Sequence, residues 1–589
     1  MTDPIQFNEA EKAKHQTNLA ALKKKLNISS SIRLILFIAI IVGIYFFWSN
    51  LQIAIGIGVL GIIAFLILVS RHSNLQYQRD FTKELLEINE KEIRIKNGDY
   101  LELNEGETFE NPKHFYSYDI DLFGRGSLFQ FMNRTVTQEG EAEFAKQLSL
   151  NHIENIKQKQ TGIKELSAMP NWRQEFSAIG NLVKVQHKAQ AIIAWIKDYK
   201  TSLPNIMSLL PQIFTAISAL LLALVFFDVI SYQILMLWFL VGLGISGVYL
   251  KKINKIYNEA GKAKDTFSQY YKLLDKIENT TFTSEVLIAQ QERIKSENEK
   301  ASLIFRKFSK TLDSFDQRNN MIMALVGNGF LLWDLNYAFK VEKWLETYHN
   351  KVEDWFEVIT FFDAQNSLAN FAFNHPDYVY PNINQDQNVI KATQLGHPLL
   401  KTKKRVDNDF LIENQQFFII TGANMAGKST FLRTVSLSIV MANMGLPVCA
   451  ESFDYSPIKL ITSMRTSDSL ADDESYFFSE LKRLKFIVEE IKNDNYFIIL
   501  DEILKGTNST DKAIGSKKFV EKLVASNSTG IIATHDLSLC EIENELPEIK
   551  NYYFDAEIIN DELNFDYRLK NGVCKNMNAS FLLKKMEIV

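Results

Sequence analysis

The sequence lacks any pairing among its cysteines. Cys449, Cys540 and Cys574 are the only three in 589 residues, scattered and without a C-x-x-C spacing. That pattern argues against a disulfide framework or a zinc site and fits a reducing compartment. A basic excess is missing too. Lys and Arg number 65 against 70 Asp and Glu, for a formal net charge of −5. General phosphate affinity is therefore not expected, although a local basic stripe stays compatible with these totals. The most informative absence is local. No charged residue occurs from Leu34 to Ser70, from Thr201 to Phe227, or from Val229 to Leu250.

A helix needs about 20 apolar residues to cross a bilayer, so Leu34–Ser70 is too long for one span. Ser49, Asn50 and Gln52 interrupt it near its middle. The expected spans are Ile32–Trp48 and Leu51–Ser70, then Asn205–Phe227 and Val229–Leu250 with Asp228 in the turn. Pro211 is tolerable in the first turns of such a helix. Lys23, Lys24, Lys25 and Arg33 precede the first hairpin and Arg71 and Arg79 follow it. Lys197 and Lys200 precede the second, and Lys251, Lys252 and Lys255 follow it. Both turns lack Lys and Arg. The positive-inside rule then predicts a multi-pass protein of the cytoplasmic (inner) membrane, with membrane lipid as a partner and both termini in the cytoplasm. A cleaved signal is not expected, because a polar stretch precedes the first span and a second span follows at once.

A chain of 589 residues is also expected to hold several units. Between the apolar blocks, Phe81–Ile95, Glu141–Lys200 and Ile253–Lys310 carry helical spacing, with breaks expected at Gly98, Gly106, Asn111-Pro112, Gly140 and Pro170-Asn171. Asn319–Phe373 reads as a long amphipathic region rich in aromatics.

The clearest chemistry lies near the C-terminus. The apolar run Phe417-Phe418-Ile419-Ile420 is followed by Thr421-Gly422-Ala423-Asn424-Met425-Ala426-Gly427-Lys428-Ser429-Thr430 and a helical stretch. This is G-x-x-x-x-G-K-S between strand and helix, a P-loop in which backbone amides and a helix N-terminus wrap phosphate. Lys428 should reach the β- and γ-phosphates of ATP, and Ser429 should hold Mg²⁺. A second apolar strand, Tyr496–Leu500, ends in Asp501-Glu502. Asp501 suits Mg²⁺ and Glu502 suits polarisation of the attacking water. A third strand, Gly530–Thr534, leads to His535. A lone His is more often structural. Its place after a buried strand, on the phosphate side, favours a γ-phosphate sensor.

Together these segments resemble the MutS family within the wider ABC-type ATPases. The resemblance rests on Thr421–Arg433, on Asp501-Glu502-Ile503 with Gly506-Thr507-Asn508-Ser509-Thr510-Asp511, on Ala533-Thr534-His535 and on Gly396-His397-Pro398. The family usually has Pro where Ala423 stands and often Gly where Ala426 stands. The resemblance implies an ATPase of α/β P-loop fold over 385–589, with ATP and Mg²⁺ as ligands and a homodimer as the working unit. It implies that Phe410 stacks on adenine and that Ser475, within Asp472–Glu480, reaches the partner's ATP. Glu474 stands where the family has a basic residue. A weaker match, Ser127-Leu128-Phe129 with Asn133–Thr137, implies a helical core and lever over 128–200 and 253–380. The remaining divisions are a tail over 1–30, a hairpin over 31–72, a linker region over 73–127 and a second hairpin over 201–252.

Mismatch-reading members carry an N-terminal domain with a Phe-x-Glu wedge. Phe7-Asn8-Glu9 fits those letters but is expected to be a chance match in a short polar tail, so mismatch recognition is not expected. The first expectation is a membrane-anchored MutS-like ATPase that moves its levers and spans with ATP and acts on a protein partner the sequence does not name. A tethered DNA-binding repair or damage-sensing homologue is the alternative, and an ABC-type transporter the second.

Overall fold

The computed structural model describes residues 3–183, 185, 188–295, 299–384, 387–423, 425–465, 476–505, 507–559 and 562–574. Two very long helices open the chain, α1 over Pro4–Phe46 and α2 over Leu51–Lys96. Asp3 caps α1 by accepting from the Ile5 amide, Pro4 fills its first position, and no further proline interrupts it. The Asn50 side chain caps α2 through the Ile53 amide, at 3.4 Å. The N-terminal segment is thus no separate tail. It continues the apolar helix, and its first turn reaches the helical body. Phe7 packs edge-on to Phe373 at 5.4 Å, and buried Asn8 accepts from Gln174 at 3.3 Å.

The second apolar block forms α3 over Leu210–Phe226 and α4 over Tyr232–Glu278. The span expected from Asn205 starts later, because Asn205–Ser208 is a separate 3₁₀ turn. Among the described residues, α1, α2 and α4 are long and apolar enough to cross a membrane, while α3 is a shorter apolar helix. Phe214 of α3 stacks on Trp238 of α4 at 4.3 Å, and the Trp238 indole donates to Ser218 Oγ at 2.8 Å. The α4 helix has 47 residues and runs on for about 70 Å at 1.5 Å per residue.

Around its polar half are α5 over Ala301–Asp316, α6 over Trp333–Tyr348 and α7 over Val352–Asn374. Their shared core is aromatic. Phe267, Phe305, Phe308, Trp344 and Phe356 interlock, with Phe308 stacked on Trp344 at 3.8 Å. The long amphipathic region expected over 319–373 is therefore broken at 317–332, where 3₁₀, π-helical and α-helical turns follow one another. Gly140, expected as a break, lies in the first turn of the helix Gln138–Ser149. A Cβ there would sit 2.1 Å from Asp363 Oδ2, so close packing and not a turn requires the glycine. Pro170 likewise opens a helix, Pro170–Asn181.

The C-terminal region holds a six-stranded sheet. Its strands are β1 (Phe417–Gly422), β2 (Lys459–Ser463), β3 (Tyr496–Asp501), β4 (Thr529–Ala533), β5 (Ile549–Phe554) and β6 (Leu569–Asn571). They lie in the order β6-β5-β1-β4-β3-β2, all neighbours parallel except β6. Every residue of β1 is buried, as a parallel strand covered on both faces requires. A four-stranded sheet packs beside it, including Asn388–Leu395 and Asn408–Glu413.

Three polar joints tie this region to the helices and those to the second apolar block. The Asn151 side chain bonds both backbone groups of Leu460 in β2, at 2.8 and 2.9 Å. Asp363 of α7 accepts from the Val136 and Thr137 amides and the Thr137 hydroxyl at 2.7–3.1 Å. Glu342 of α6 accepts from Tyr199, from the Ser202 amide and hydroxyl and from the Leu203 amide, at 2.6–3.0 Å.

Candidate functional site

The parallel strands β1, β3 and β4 end at the same edge of the sheet, where open α/β sheets place ligands. After β1 the chain turns through Gly422–Gly427 into the helix α8, Lys428–Asn443. Two glycines are demanded by geometry. Gly422 has φ +151°, and a Cβ would lie 2.6 Å from Phe554 O; Gly427 has φ +103° and faces the Tyr567 ring at 3.0 Å. Among the described residues no side chain caps α8, which leaves its first amides to meet an anion.

The Lys428 ammonium is buried and folds back over the loop. It donates to Gly422 O at 2.8 Å and Ala423 O at 3.0 Å. Burial lowers its pKa, against the pull of Asp501 and Glu502. Ser429 Oγ donates to Asp501 Oδ2 at 2.7 Å. Glu502 follows at the strand end with φ +54°. Its Oε1 lies 2.8 Å from His535 Nε2 and its Oε2 lies 3.4 Å from Lys505 Nζ. The hydrogen bond from His535, helped by Lys505, holds the Glu502 carboxyl down at about 2. Lys428 Nζ also approaches His535 Nε2, at 3.3 Å. A nitrogen that donates to Glu502 has no lone pair left for the ammonium, so two donors face each other here.

These groups line a cavity of about 760 Å³. Lys404, Arg405, Lys428 and Lys505 bring four cations to it against Asp501 and Glu502. Arg405 is paired with Asp407 at 2.6 Å. The far wall is apolar, with Leu395, Leu400, Val406, Phe431 and Tyr567. His397 also lines it, its pKa pushed down to about 4 by burial.

Most of the residues expected from sequence meet in this one place. Gly422, Ala423, Met425, Ala426 and Gly427 form the loop, Ser429 and Thr430 are exposed beside it, and Lys428, Asp501, Glu502 and His535 surround it. Asn424 and Ser475 lie outside the described residues. Phe410 is a correction. It is 2% exposed and packs edge-on to Phe418 and Phe431 at 5.8 and 5.5 Å, within the core and not on the cavity wall. Its inward position follows from strand alternation: Phe410 and Ile412 are buried while Asp409 and Leu411 face out. Lys505, Arg405 and Tyr567 were missed. Lys505 was within reach of sequence reasoning, three residues after Glu502. Tyr567 comes from the distant strand connection before β6, and no local pattern points to it.

Residues 418–585 match the family model described as MutS domain V. The chain is 32% identical over 224 residues to MutS protein homolog 4 of Homo sapiens, covering 36% of this chain and 23% of that protein. It is 33% identical over 224 residues to the DNA mismatch repair protein MutS of Halothermothrix orenii, covering 36% and 25%. Against the protein of that name from Thermotoga maritima it is 31% identical over 219 residues, covering 36% and 27%. The chain thus spans about a quarter of the length of the curated relatives it matches. The domain V match and these relatives support the MutS family for this chain.

Proposed function

We propose that this chain is a membrane-embedded ATPase of MutS type, which uses ATP in a homodimer to move its helices and apolar spans. The observation that carries the reading is the convergence of Lys428, the Ser429–Asp501 pair and the Glu502–His535 pair at the mouth of one parallel sheet.

The donor set fits magnesium, which takes one or two carboxylates and completes its shell with phosphate and water. Ser429 Oγ and Asp501 Oδ2, two oxygens 2.7 Å apart beside the loop, would hold it. A bound ion there would supply charge neutralisation to the phosphates. Lys428 exchanges its two backbone carbonyls for phosphate oxygens. The loop amides and the α8 N-terminus hold the remaining phosphate charge. Glu502, charged at neutral pH, accepts a hydrogen bond from water and aims it at the γ-phosphorus. The new P–O bond forms as the bond to ADP breaks, and the water proton passes late to Glu502 and from there to the released phosphate, as a loose transition state allows. Phosphate drawing Lys428 outward relieves its contact with His535, so the Glu502–His535 pair registers whether the γ-phosphate is present. The adenine is assigned to the apolar wall of Val406, Phe431 and Tyr567.

Exposed apolar side chains on α1, α2, α3 and α4 support the membrane reading, and the flanking lysines support a cytoplasmic ATPase region. Asn151, Asp363 and Glu342 are three separate joints, and movement at β2 would pass from one to the next through the helices between them. Ser475 is assigned to the partner's nucleotide. Mixing Lys428→Ala with Ser475→Ala chains should restore some activity in verified heterodimers, and no recovery would count against shared sites.

The relatives named as DNA mismatch repair proteins favour a second reading, a tethered DNA-binding protein. Filter binding with matched, mismatched and branched duplexes across salt separates the two. The membrane reading expects no preference for a mismatch. A preference of tenfold, about 1.4 kcal/mol, or a steep salt slope favours DNA.

A further inference from the structure

No charged side chain occurs between Arg318 and Asp334. The intervening segment leaves α5 through the π-helical turn Met323–Gly327 and the short helix Asn328–Leu331, and returns into α6 at Leu332, whose φ is +48°. Its last residue, Leu332, joins the aromatic core. The rest of it lies against the apolar half of α4. Phe330 packs on Phe239 at 5.1 Å. A Cβ on Gly242 would meet Gly329 O at 2.3 Å, and one on Gly329 would meet the Phe239 ring at 2.1 Å. Two backbones therefore touch there, and only glycine at both positions allows it. Ser246, one turn further along α4, brings its hydroxyl to Asn328 Oδ1 at 3.5 Å. Small residues spaced four apart, with a polar contact between them, are a packing device of helices in lipid.

The depth of this contact follows from α4. Gly242 is ten residues past Tyr232 and nine before Lys251, so it sits about 15 and 14 Å from the two ends of the apolar stretch, close to its midpoint. The entry to the segment is at the other level. Arg318 pairs with Asp334 at 3.2 Å and donates to Asn254 at 2.7 Å, beyond the Lys251-Lys252 pair that ends the apolar stretch. The polar groups inside are internally satisfied. Asn328 donates to Ala324 O at 2.9 Å and accepts from the Asp334 amide at 3.0 Å. On the outer face Met321, Ile322, Leu325 and Val326 are exposed, Met321 by 76% and Ile322 by 70%.

We infer that Asn320–Leu332 is a re-entrant element that dips about halfway into the hydrocarbon layer and returns to the same side. The occupant of its exposed face is lipid acyl chain. Apolar stretches of 10–14 residues are too short to span and suit such an element. Irregular backbone is tolerated at that depth when packed on protein, as the Gly242–Gly329 contact provides. This inference rests on the membrane reading of α3 and α4. It adds a direct link between that block and the helices α5 and α6, because the ion pair Arg318–Asp334 forms the neck of the element.

The test places a nitroxide on a cysteine introduced at Leu325, and separately at Ile322, in the full chain in lipid vesicles. The three natural cysteines are buried and unlabelled background is measured without the added one. Relaxation by oxygen, which concentrates in lipid, is compared with relaxation by an aqueous nickel chelate. Leu237 on α4 is the reference for lipid, and Lys310 on α5 the reference for water. The inference expects Leu325 and Ile322 to match Leu237 within about twofold in their oxygen-to-nickel ratio, against at least tenfold from Lys310. If Leu237 reads as lipid while Leu325 and Ile322 read as Lys310 does, the inference is overturned and the membrane reading stands. If Leu237 also reads as water, the membrane reading fails and the inference with it.

Discussion

Two parts of this molecule are equally apolar and use that property in opposite ways. Strand β1 is Phe417-Phe418-Ile419-Ile420-Thr421-Gly422, and every one of its residues is buried. In α3 and α4 the apolar residues point outward, with Phe226 exposed by 80% and Val248 by 79%. In β1 the side chains have protein on both faces, and each deletion leaves a hole. In α3 and α4 the outward faces have no protein partner in the described chain, so their favourable surroundings must come from elsewhere. Composition is therefore no guide to burial here. Charge-free length and basic flanks are.

The comparison is sharpest at the proposed nucleotide site, where the largest effect is expected. Glu502→Gln keeps shape and removes the charge that aims water. Hydrolysis should fall at least about a hundredfold while ATP stays bound, whereas Lys428→Ala should lose ATP itself. Phosphate-release assays and retention of labelled ATP on the purified chain check both. A wild-type rate for Glu502→Gln would remove the role assigned to it. Neither change should unfold the apolar helices.

A packing test comes next. Ile419→Ala should cost about 2–5 kcal/mol, as for a large residue deleted from a core. Leu237→Ala on the outer face of α4 should cost under about 1 kcal/mol, because lipid closes over the missing atoms. Denaturant titration in detergent micelles compares the two, and equal costs would erase the contrast drawn above.

A smaller effect is expected from Asp363. Burial pushes its carboxyl up to about 7, although the Val136 and Thr137 donors pull the other way. A carboxyl whose folded pKa lies above its unfolded value holds its proton more tightly when folded. Its contribution is fully present below about pH 4 and is lost as pH rises through about 7. Asp363→Asn should therefore flatten the decline of stability over that window, read from unfolding midpoints at a series of pH values. Glu502 runs the opposite way. With its folded pKa at about 2, the stability its carboxylate contributes is present above the unfolded value near 4.5 and is lost only as pH falls toward 2. Activity should therefore show no Glu502 step between pH 5 and 8.

The two regions also differed in how much could be read from residues alone. The loop, Asp501, Glu502 and His535 were legible because phosphate chemistry constrains neighbours in sequence, strand by strand. Phe410 was misplaced because the face a strand residue takes depends on what packs behind it. Long apolar helices were legible from missing charge. The joints were not. Asn151 and Leu460 are far apart in the chain, and nothing local marks Glu342 as the acceptor for Tyr199, Ser202 and Leu203. Asn8 and Phe7 illustrate the same limit, since a polar helix end gives no sign of the groove it fills. The turns at 317–332 were hidden for a related reason: Gly329 serves a contact with α4, which is distant in sequence.

The central claim is that nucleotide at Lys428 moves the apolar helices. Spin labels at Trp48, in the turn between α1 and α2, and at Tyr232, at the outer end of α4, report on it in the Glu502→Gln chain reconstituted in lipid. ATP should shift the distance distribution between them by several ångström, and the shift should be absent when Lys428→Ala is added. Identical distributions with and without ATP, in a chain shown to hold the nucleotide, would contradict the claim and leave these helices as anchors alone.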